Sequence, residues 1–127
     1  MARILIIGED PDSISPEDHP PGVTADGIRT ALDQARATLV SQGHEADILL
    51  TTSVDKIADE LADAVRGRRY DVLVIGAGLR VLPPMAEHFE RLMNAIREHA
   101  PAARLAFNTK PDDTAEAAER QLGYAGS

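Results

Sequence analysis

The chain predicts an α/β fold: a three-layer αβα sandwich around a four-stranded parallel sheet of order 2-1-3-4. Three observations carry that prediction. Ile4-Leu5-Ile6-Ile7 and Val72-Leu73-Val74-Ile75 are unbroken apolar runs, and each stops at a glycine, Gly8 or Gly76. Such short runs, bounded by turn residues, read as strands buried on both faces under covering helices. Segments of helical period alternate with strand-like segments along the chain, in the order βαβαβαβα. Right-handed crossovers then arrange the strands as 2-1-3-4, with helices on both sides. The 127 residues read as one domain, 1–127, large enough for its own core.

The first strand is expected over 2–8. Residues 9–23 follow as a long connection holding Pro11, Pro16, Pro20, Pro21 and Gly22, a proline density that forbids both a helix and a sheet ladder. Its charges have one sign: Glu9, Asp10, Asp12, Glu17 and Asp18. Connections this long inside a small domain are commonly functional. The spacing of Ile28, Leu32, Ala35 and Leu39 predicts a helix over 24–42, capped by Thr24 and closed by Gly43. A second strand, 45–50, begins with alternating polarity and suits a sheet edge. The second helix, 54–66, takes Ser53 or Thr52 as its cap, turns Ile57, Leu61 and Val65 inward and ends at Gly67.

The central third strand covers 71–75. Pro83-Pro84 can open a third helix, 84–99, with Met85, Phe89, Leu92, Met93 and Ile96 as its buried stripe. A fourth strand covers 104–107. Asp113 and Glu116 have capping-box spacing for a short helix over 113–122, closed by Gly123, and 124–127 read as a frayed tail.

A formal net charge of −8 argues against nucleic acid and anionic membrane surfaces as partners, since both attract positively charged proteins. The absence of cysteine excludes disulfides, thiolate metal sites and cysteine nucleophiles. Met1-Ala2-Arg3 has no signal-peptide layout, and no apolar run nears the roughly 20 residues of a membrane span. A cytoplasmic protein is expected.

In an open parallel sheet, ligands bind beyond the C-terminal strand ends, where the connections turn to opposite faces. Here that point lies between strands one and three. It gathers Gly8, the acidic connection, the Gly76-Ala77-Gly78 turn and Asn108-Thr109-Lys110 around one crevice. Gly76 and Gly78 permit a tight turn with positive φ. Arg80, Lys110 and Thr109, with the backbone N–H groups near Gly76 and Gly78, could hold a phosphate or carboxylate. The same two cations could instead neutralise Glu9 and Asp10 in internal ion pairs. Glu9 and Asp10 are the best-placed ligands for a hard divalent cation, against which stands a solvated, mobile lid.

Of the four histidines, His19 alone lies in the acidic connection, where it could serve as acid or base; His88 and His99 are expected near the solvated side of the third helix. Glu9, Asp10 and His19 are therefore the catalytic candidates. Ser13 and Ser15 lack a nucleophile elbow. Arg66, Arg68 and Arg69 fall at the opposite end of the sheet, as surface. The segment from Val74 to Val81 begins like a dinucleotide fingerprint but has Val81 at the third glycine, and Phe107-Asn108 replaces the acid after the next strand. Those departures argue against NAD.

This layout resembles the flavodoxin-like folds, and most closely the receiver domains of response regulators. Arg3-Ile4-Leu5-Ile6-Ile7-Gly8-Glu9-Asp10 is similar to a receiver's first strand with its acidic pair. Tyr70-Asp71-Val72-Leu73-Val74-Ile75 looks like its third strand, and Thr109 falls near its switch hydroxyl. The resemblance implies the fold and not the activity. Gly76 stands where a receiver carries its phospho-accepting aspartate, no fifth strand follows, and Lys110 comes after the fourth strand instead. A phospho-Asp switch is thus not expected. Nor is FMN: Glu9-Asp10-Pro11-Asp12 replaces a flavodoxin's Ser/Thr-rich loop and would repel its phosphate, and aromatic residues make up only 3%, with no Trp or Tyr in the crevice loops to cover a flavin.

Two classes of function remain. A non-enzymatic module would bind a small ligand in the crevice at the C-terminal ends of strands one, three and four, or a protein on its surface. A small enzyme would act on an anionic metabolite. In it Glu9 or Asp10 would hold metal or act as base, Arg80 and Lys110 would bind the anion, and 9–23 would close as a lid. An uncovered fourth strand invites pairing, so a homodimer through the third helix, the fourth helix or that strand is expected.

Overall fold

The computed structural model describes residues 1–13, 17, 19, 21–80 and 85–125. Strands β1 (Arg3–Glu9), β2 (Glu45–Thr51), β3 (Val72–Ile75) and β4 (Arg104–Phe107) form one parallel sheet in the order β2-β1-β3-β4. Helices α1 (Ala25–Ser41), α2 (Ile57–Val65), α3 (Ala86–His99) and α4 (Thr114–Ala125) cover it. The predicted α/β sandwich and its strand order are both present.

Side-chain alternation along β1 assigns each helix to a face. Ile4 and Ile6 point one way, beside Val72, Val74 and Ala106, under Leu32, Ala35 and Leu39 of α1 and Ala117 and Ala118 of α4. Leu5 and Ile7 point the other way, with Leu73 and Ile75, under Ile57, Leu61 and Val65 of α2 and Leu92, Ala95 and Ile96 of α3. A central strand with helices on both sides has no solvated face, which is why its sequence shows no polar alternation. β2 lies at an edge, as its alternating start predicts.

Thr24 caps α1 by accepting the Gly27 N–H at 3.0 Å. Gly43 (φ +93°) and Gly67 (φ +70°) adopt the left-handed conformation that ends α1 and α2.

Four local expectations need correction. Pro11–Ser13 forms a single 3₁₀ turn despite its proline, which at the first helical position gives up no hydrogen bond. α2 begins at Ile57, three residues late. Ser53 contributes its backbone carbonyl to the N–H groups of Lys56 and Ile57 (3.2 and 3.1 Å), while Thr52 bonds Glu60 Oε1 through its hydroxyl and N–H at 3.2 and 3.3 Å, so neither side chain caps the helix. A 3₁₀ turn, Pro111–Asp113, precedes α4, and Asp113 is not its cap. α4 also runs on through Gly123 to Ala125. The Pro83-Pro84 start of the third helix, Val81, the loop residues Ser15, Pro16, Asp18 and Pro20, and the last two tail residues lie outside the described residues. No described helix is long and apolar enough to cross a membrane.

Candidate functional site

At the C-terminal ends of β1 and β3 the chain departs to opposite faces, through α1 on one side and α3 on the other. The same alternation that sorts the core separates Glu9 from Asp10. Glu9 continues the series Leu5, Ile7 toward α3; Asp10 continues Ile4, Ile6 toward α1. Asp10 accordingly meets Arg29 of α1, whose guanidinium is 2.7 Å from Asp10 and 2.9 Å from Asp12. The Asp12 N–H, donating to Asp10 at 3.0 Å, is the strongest of the influences that hold the Asp10 carboxyl below its ordinary value; Arg29 adds to it. Among the described residues, the internal ion pairs of the acidic segment are therefore made by Arg29, not by Arg80 or Lys110. The structure does not aim Glu9 and Asp10 at one cation, and among the described residues no three His, Asp or Glu side chains gather in a metal-binding group.

Glu9 is half-buried. Its Oε1 receives the Ser13 hydroxyl at 3.3 Å, while its Oε2 is buried without a hydrogen-bond partner. Burial pushes the Glu9 carboxyl above its ordinary value, and neighbouring Asp10 adds to the rise; the His88 imidazole and the Ser13 hydroxyl pull the other way. His88 sits in the first turn of α3, at the crevice end of that helix, and its Nε2 is likewise buried and unpartnered. The histidine that reaches the neighbourhood of Glu9 is therefore His88. His19, the expected one, is half-buried in the connection, and no hydrogen bond among the described residues ties it to the strand ends. A signal for His88 exists in the sequence: Met85, His88, Leu92 and Ile96 follow at three- and four-residue spacing, so His88 shares the apolar stripe.

The three glycines do different things. Gly8 is buried, and an added Cβ there would meet only Leu50 and Leu32 at ordinary contact distances of 3.6 and 3.8 Å. Gly76 donates its N–H to Ile7 O at 2.8 Å, and a Cβ would lie 3.0 Å from that same carbonyl oxygen. The close seam between β1 and β3 excludes a side chain. At Gly78 a Cβ would meet none of the described residues within 4 Å. Neither Gly76 nor Gly78 has positive φ, contrary to expectation; the chain leaves β3 in extended form and enters a 3₁₀ turn, Ala77–Leu79, anchored by buried Leu79.

Of the β4 end, little is available to a ligand. Asn108 is 2% exposed; its Oδ1 accepts the Ala77 N–H at 2.8 Å and its Nδ2 donates to Thr114 Oγ1 at 2.9 Å. Thr109 gives both its N–H and its hydroxyl to Asp113. Burial opposes ionisation of Asp113, but the Thr109 hydroxyl and the N–H groups of Thr109 and Lys110 together hold its carboxyl below its ordinary value. Asn108 and Thr109, both expected to bind ligand, instead tie β3, β4 and α4 together. The Lys110 side chain is exposed and makes no ion pair among the described residues.

Arg80 is different. Its guanidinium lies over the Phe107 ring, 5.2 Å from the centroid, and donates to the Asn108 carbonyl. Its Nε is buried and unpartnered, and among the described residues it pairs with no carboxylate. Phe107 stands in register with Ile75, and Ile75 with Ile7, so Arg80, Glu9 and His88 all fall on the α3 side of the strand ends.

Other concavities lie at the opposite end of the sheet. One of about 390 Å³ is bordered by Arg3, His44, Glu45, Asp47 and Arg68. Its charges answer one another: Arg3 pairs with Glu45 at 2.6 Å, and Tyr70 donates to Asp47 at 2.8 Å. A neighbouring depression of about 380 Å³ carries Arg68, Arg69 and His99 beside the C-termini of α2 and α3. Helix C-termini are negative ends, so cations there complement the fold before any ligand. The strand-end crevice remains the better candidate.

No family model matches the chain, and no curated protein matches it in sequence. A crystal structure of a fragment described as a candidate lipoprotein from Peptoclostridium difficile 630 is similar in fold, with a TM-score of 0.56 at 9% identity, over 99% of this chain and 98% of that one. At that identity the likeness concerns the fold alone: four parallel strands within an αβα sandwich, spanning the chain from end to end.

Proposed function

We propose that the protein is a small-ligand-binding module, and that Arg80 anchors the carboxylate or phosphate of a small anionic ligand in the strand-end crevice. The observation that carries this reading is a half-buried guanidinium with no carboxylate partner among the described residues, in a chain with 21 acidic and 13 basic side chains. With acids so abundant, a cation that stays unpaired while Arg29 takes two carboxylates is placed for something other than internal neutralisation. Partly desolvated charge is unfavourable until an opposite charge arrives. The Phe107 ring and the Asn108 carbonyl hold the planar fork in one orientation, which lowers the entropy lost on binding. Exposed Lys110, at the same end, adds longer-range attraction.

The test is a thermal-shift series with small carboxylates and inorganic and organic phosphates. A bound anion stabilises the native state by mass action, so the melting temperature rises with dose. Arg80→Gln abolishes that rise without lowering the unliganded melting temperature, and Lys110→Gln weakens it modestly. A panel without any dose-dependent rise, or a rise that survives Arg80→Gln, overturns the reading.

A second reading draws on Glu9. A half-buried carboxyl with raised pKa suits proton transfer, which would make the protein a small enzyme acting on its anion. Incubating the protein with each stabilising anion and following it by NMR tests this; unchanged spectra over days leave binding as the whole activity. We further propose that the protein forms a homodimer through the free edge of β4.

A further inference from the structure

Three side-chain polar atoms of the described residues are buried without a hydrogen-bond partner: Glu9 Oε2, His88 Nε2 and Arg80 Nε. All three lie at one end of the sheet, on its α3 side. Buried polar atoms are ordinarily satisfied, so such a convergence calls for a partner that the chain itself does not supply. We infer that Glu9 and His88 form a second subsite of the crevice, which receives a hydroxyl group, and that the ligand is a small hydroxy acid or hydroxyalkyl phosphate. This rests on the reading of Arg80 as the anion anchor.

The donor and acceptor inventory selects the group. An ionised carboxylate only accepts, and an imidazole nitrogen bearing its hydrogen donates. A hydroxyl is donor and acceptor at one oxygen: it donates to Glu9 Oε2 and accepts from His88 Nε2. An ammonium has donors only and would leave an imidazole N–H unmatched. A second anionic group would be repelled by Glu9. The carboxylate is also oriented in advance, because the Ser13 hydroxyl holds its other oxygen at 3.3 Å.

The sheet sets the spacing between the subsites. Glu9 ends β1, while the Arg80 guanidinium rests over Phe107, which ends β4. Those strands are two positions apart, about 10 Å at the usual strand spacing. Both side chains are long enough to narrow that gap from either side. A ligand of a few carbons, anionic at one end and hydroxylated toward the other, spans what is left.

Matched pairs of probes test the inference by calorimetry: malate against succinate, glycerate against propionate, and glycerol 3-phosphate against n-propyl phosphate. Hydrogen bonds to charged groups predict that the hydroxylated member of at least one pair binds about tenfold tighter or better. Glu9→Gln and His88→Gln shrink that preference to about threefold or less. Arg80→Gln removes binding of both members. Equal binding within every pair overturns the hydroxyl subsite while the Arg80 anchor stands. A preference that persists in both the Glu9 and His88 variants, each shown to be folded by circular dichroism, overturns it as well. If no probe binds at all, the anchor and the subsite fall together.

Discussion

Gly76 and Gly78 stand two residues apart in one turn, yet a methyl group meets opposite conditions at each. At Gly76 it would press on the Ile7 carbonyl oxygen at 3.0 Å, a backbone atom locked in the sheet; at Gly78 none of the described residues lies within 4 Å. Gly76→Ala is therefore expected to destabilise the fold by about 1–3 kcal/mol, and Gly78→Ala to change it by less than about 0.5 kcal/mol. Chemical denaturation of the two variants checks this, and equal effects would refute the seam. Glu9 carries a prediction of the reverse sign. Its folded-state carboxyl titrates above the ordinary 4.5, so the native state holds the proton more tightly than the unfolded chain. Stability is then fullest below about pH 4.5 and declines as pH rises through the folded value. Glu9→Gln removes that decline. Its melting temperature should exceed the parent's at neutral pH, with the gap closing as the pH falls below the ordinary 4.5.

That single-residue chemistry was only partly readable in the sequence. Glu9 and Asp10 were visible as a pair at a strand end. Their separation follows once β1 is extended one residue, to Glu9, because period-two alternation sends neighbours to opposite faces. Arg29 was harder to find, since its reach to Asp10 depends on how α1 docks over the end of β1. His88 was hidden by a stripe drawn through the apolar residues alone.

Between elements, polar side chains do what apolar ones do within layers. Asn108 joins the turn after β3 to the start of α4, through the Ala77 N–H and the Thr114 hydroxyl, and Thr114 in turn donates to the Pro111 carbonyl at 2.7 Å. Asn108→Ala leaves the part-buried Ala77 N–H without its acceptor and removes the bond that the Thr114 hydroxyl accepts, and is expected to cost about 1–3 kcal/mol. If the loss stays below about 0.5 kcal/mol, water replaces the amide and the tie is not structural. Element existence was plain in the sequence, and the fourth strand matches its predicted span, 104–107. Apolar period and flanking glycines are local signals, and local signals are what a sequence displays. The start of α2 was not displayed. Thr52 and Ser53 are sound caps by residue type, but Thr52 is bonded by Glu60, eight residues on in the first turn of α2, and the first helical residue is Ile57. The Asp113 carboxylate was claimed the same way, from behind, by Thr109 and Lys110.

At the scale of the whole molecule, the strand order leaves β4 with a free side. Arg104 donates its N–H to Asp71 O at 2.9 Å, so Arg104 and Ala106 address β3 while Leu105 and Phe107 direct their backbone groups outward. Arg120 donates to the Phe107 carbonyl at 3.1 Å, leaving the Leu105 N–H and C=O and the Phe107 N–H as an open row among the described residues, and Phe107 is 37% exposed beside it. Two copies set antiparallel about Leu105 would continue one sheet into the other. Hydrogen bonds and the Phe107 ring favour that contact, whereas a formal charge of −8 on each copy opposes it. The balance predicts a dimer at tens of micromolar whose dissociation constant tightens as salt is raised. At an ionic strength of about 1 M the Debye length falls to about 3 Å, and repulsion between the copies is screened while the edge contacts are not. Sedimentation velocity across a salt series reads both the state and its trend. Phe107→Lys should leave a folded monomer at every salt concentration, because a lysine on an exposed edge strand resists pairing. A parent protein that stays monomeric at high salt excludes the edge as an interface. A dimer that weakens with salt points instead to an interface held by ion pairs, for which the charged faces of α3 and α4 are the next place to look.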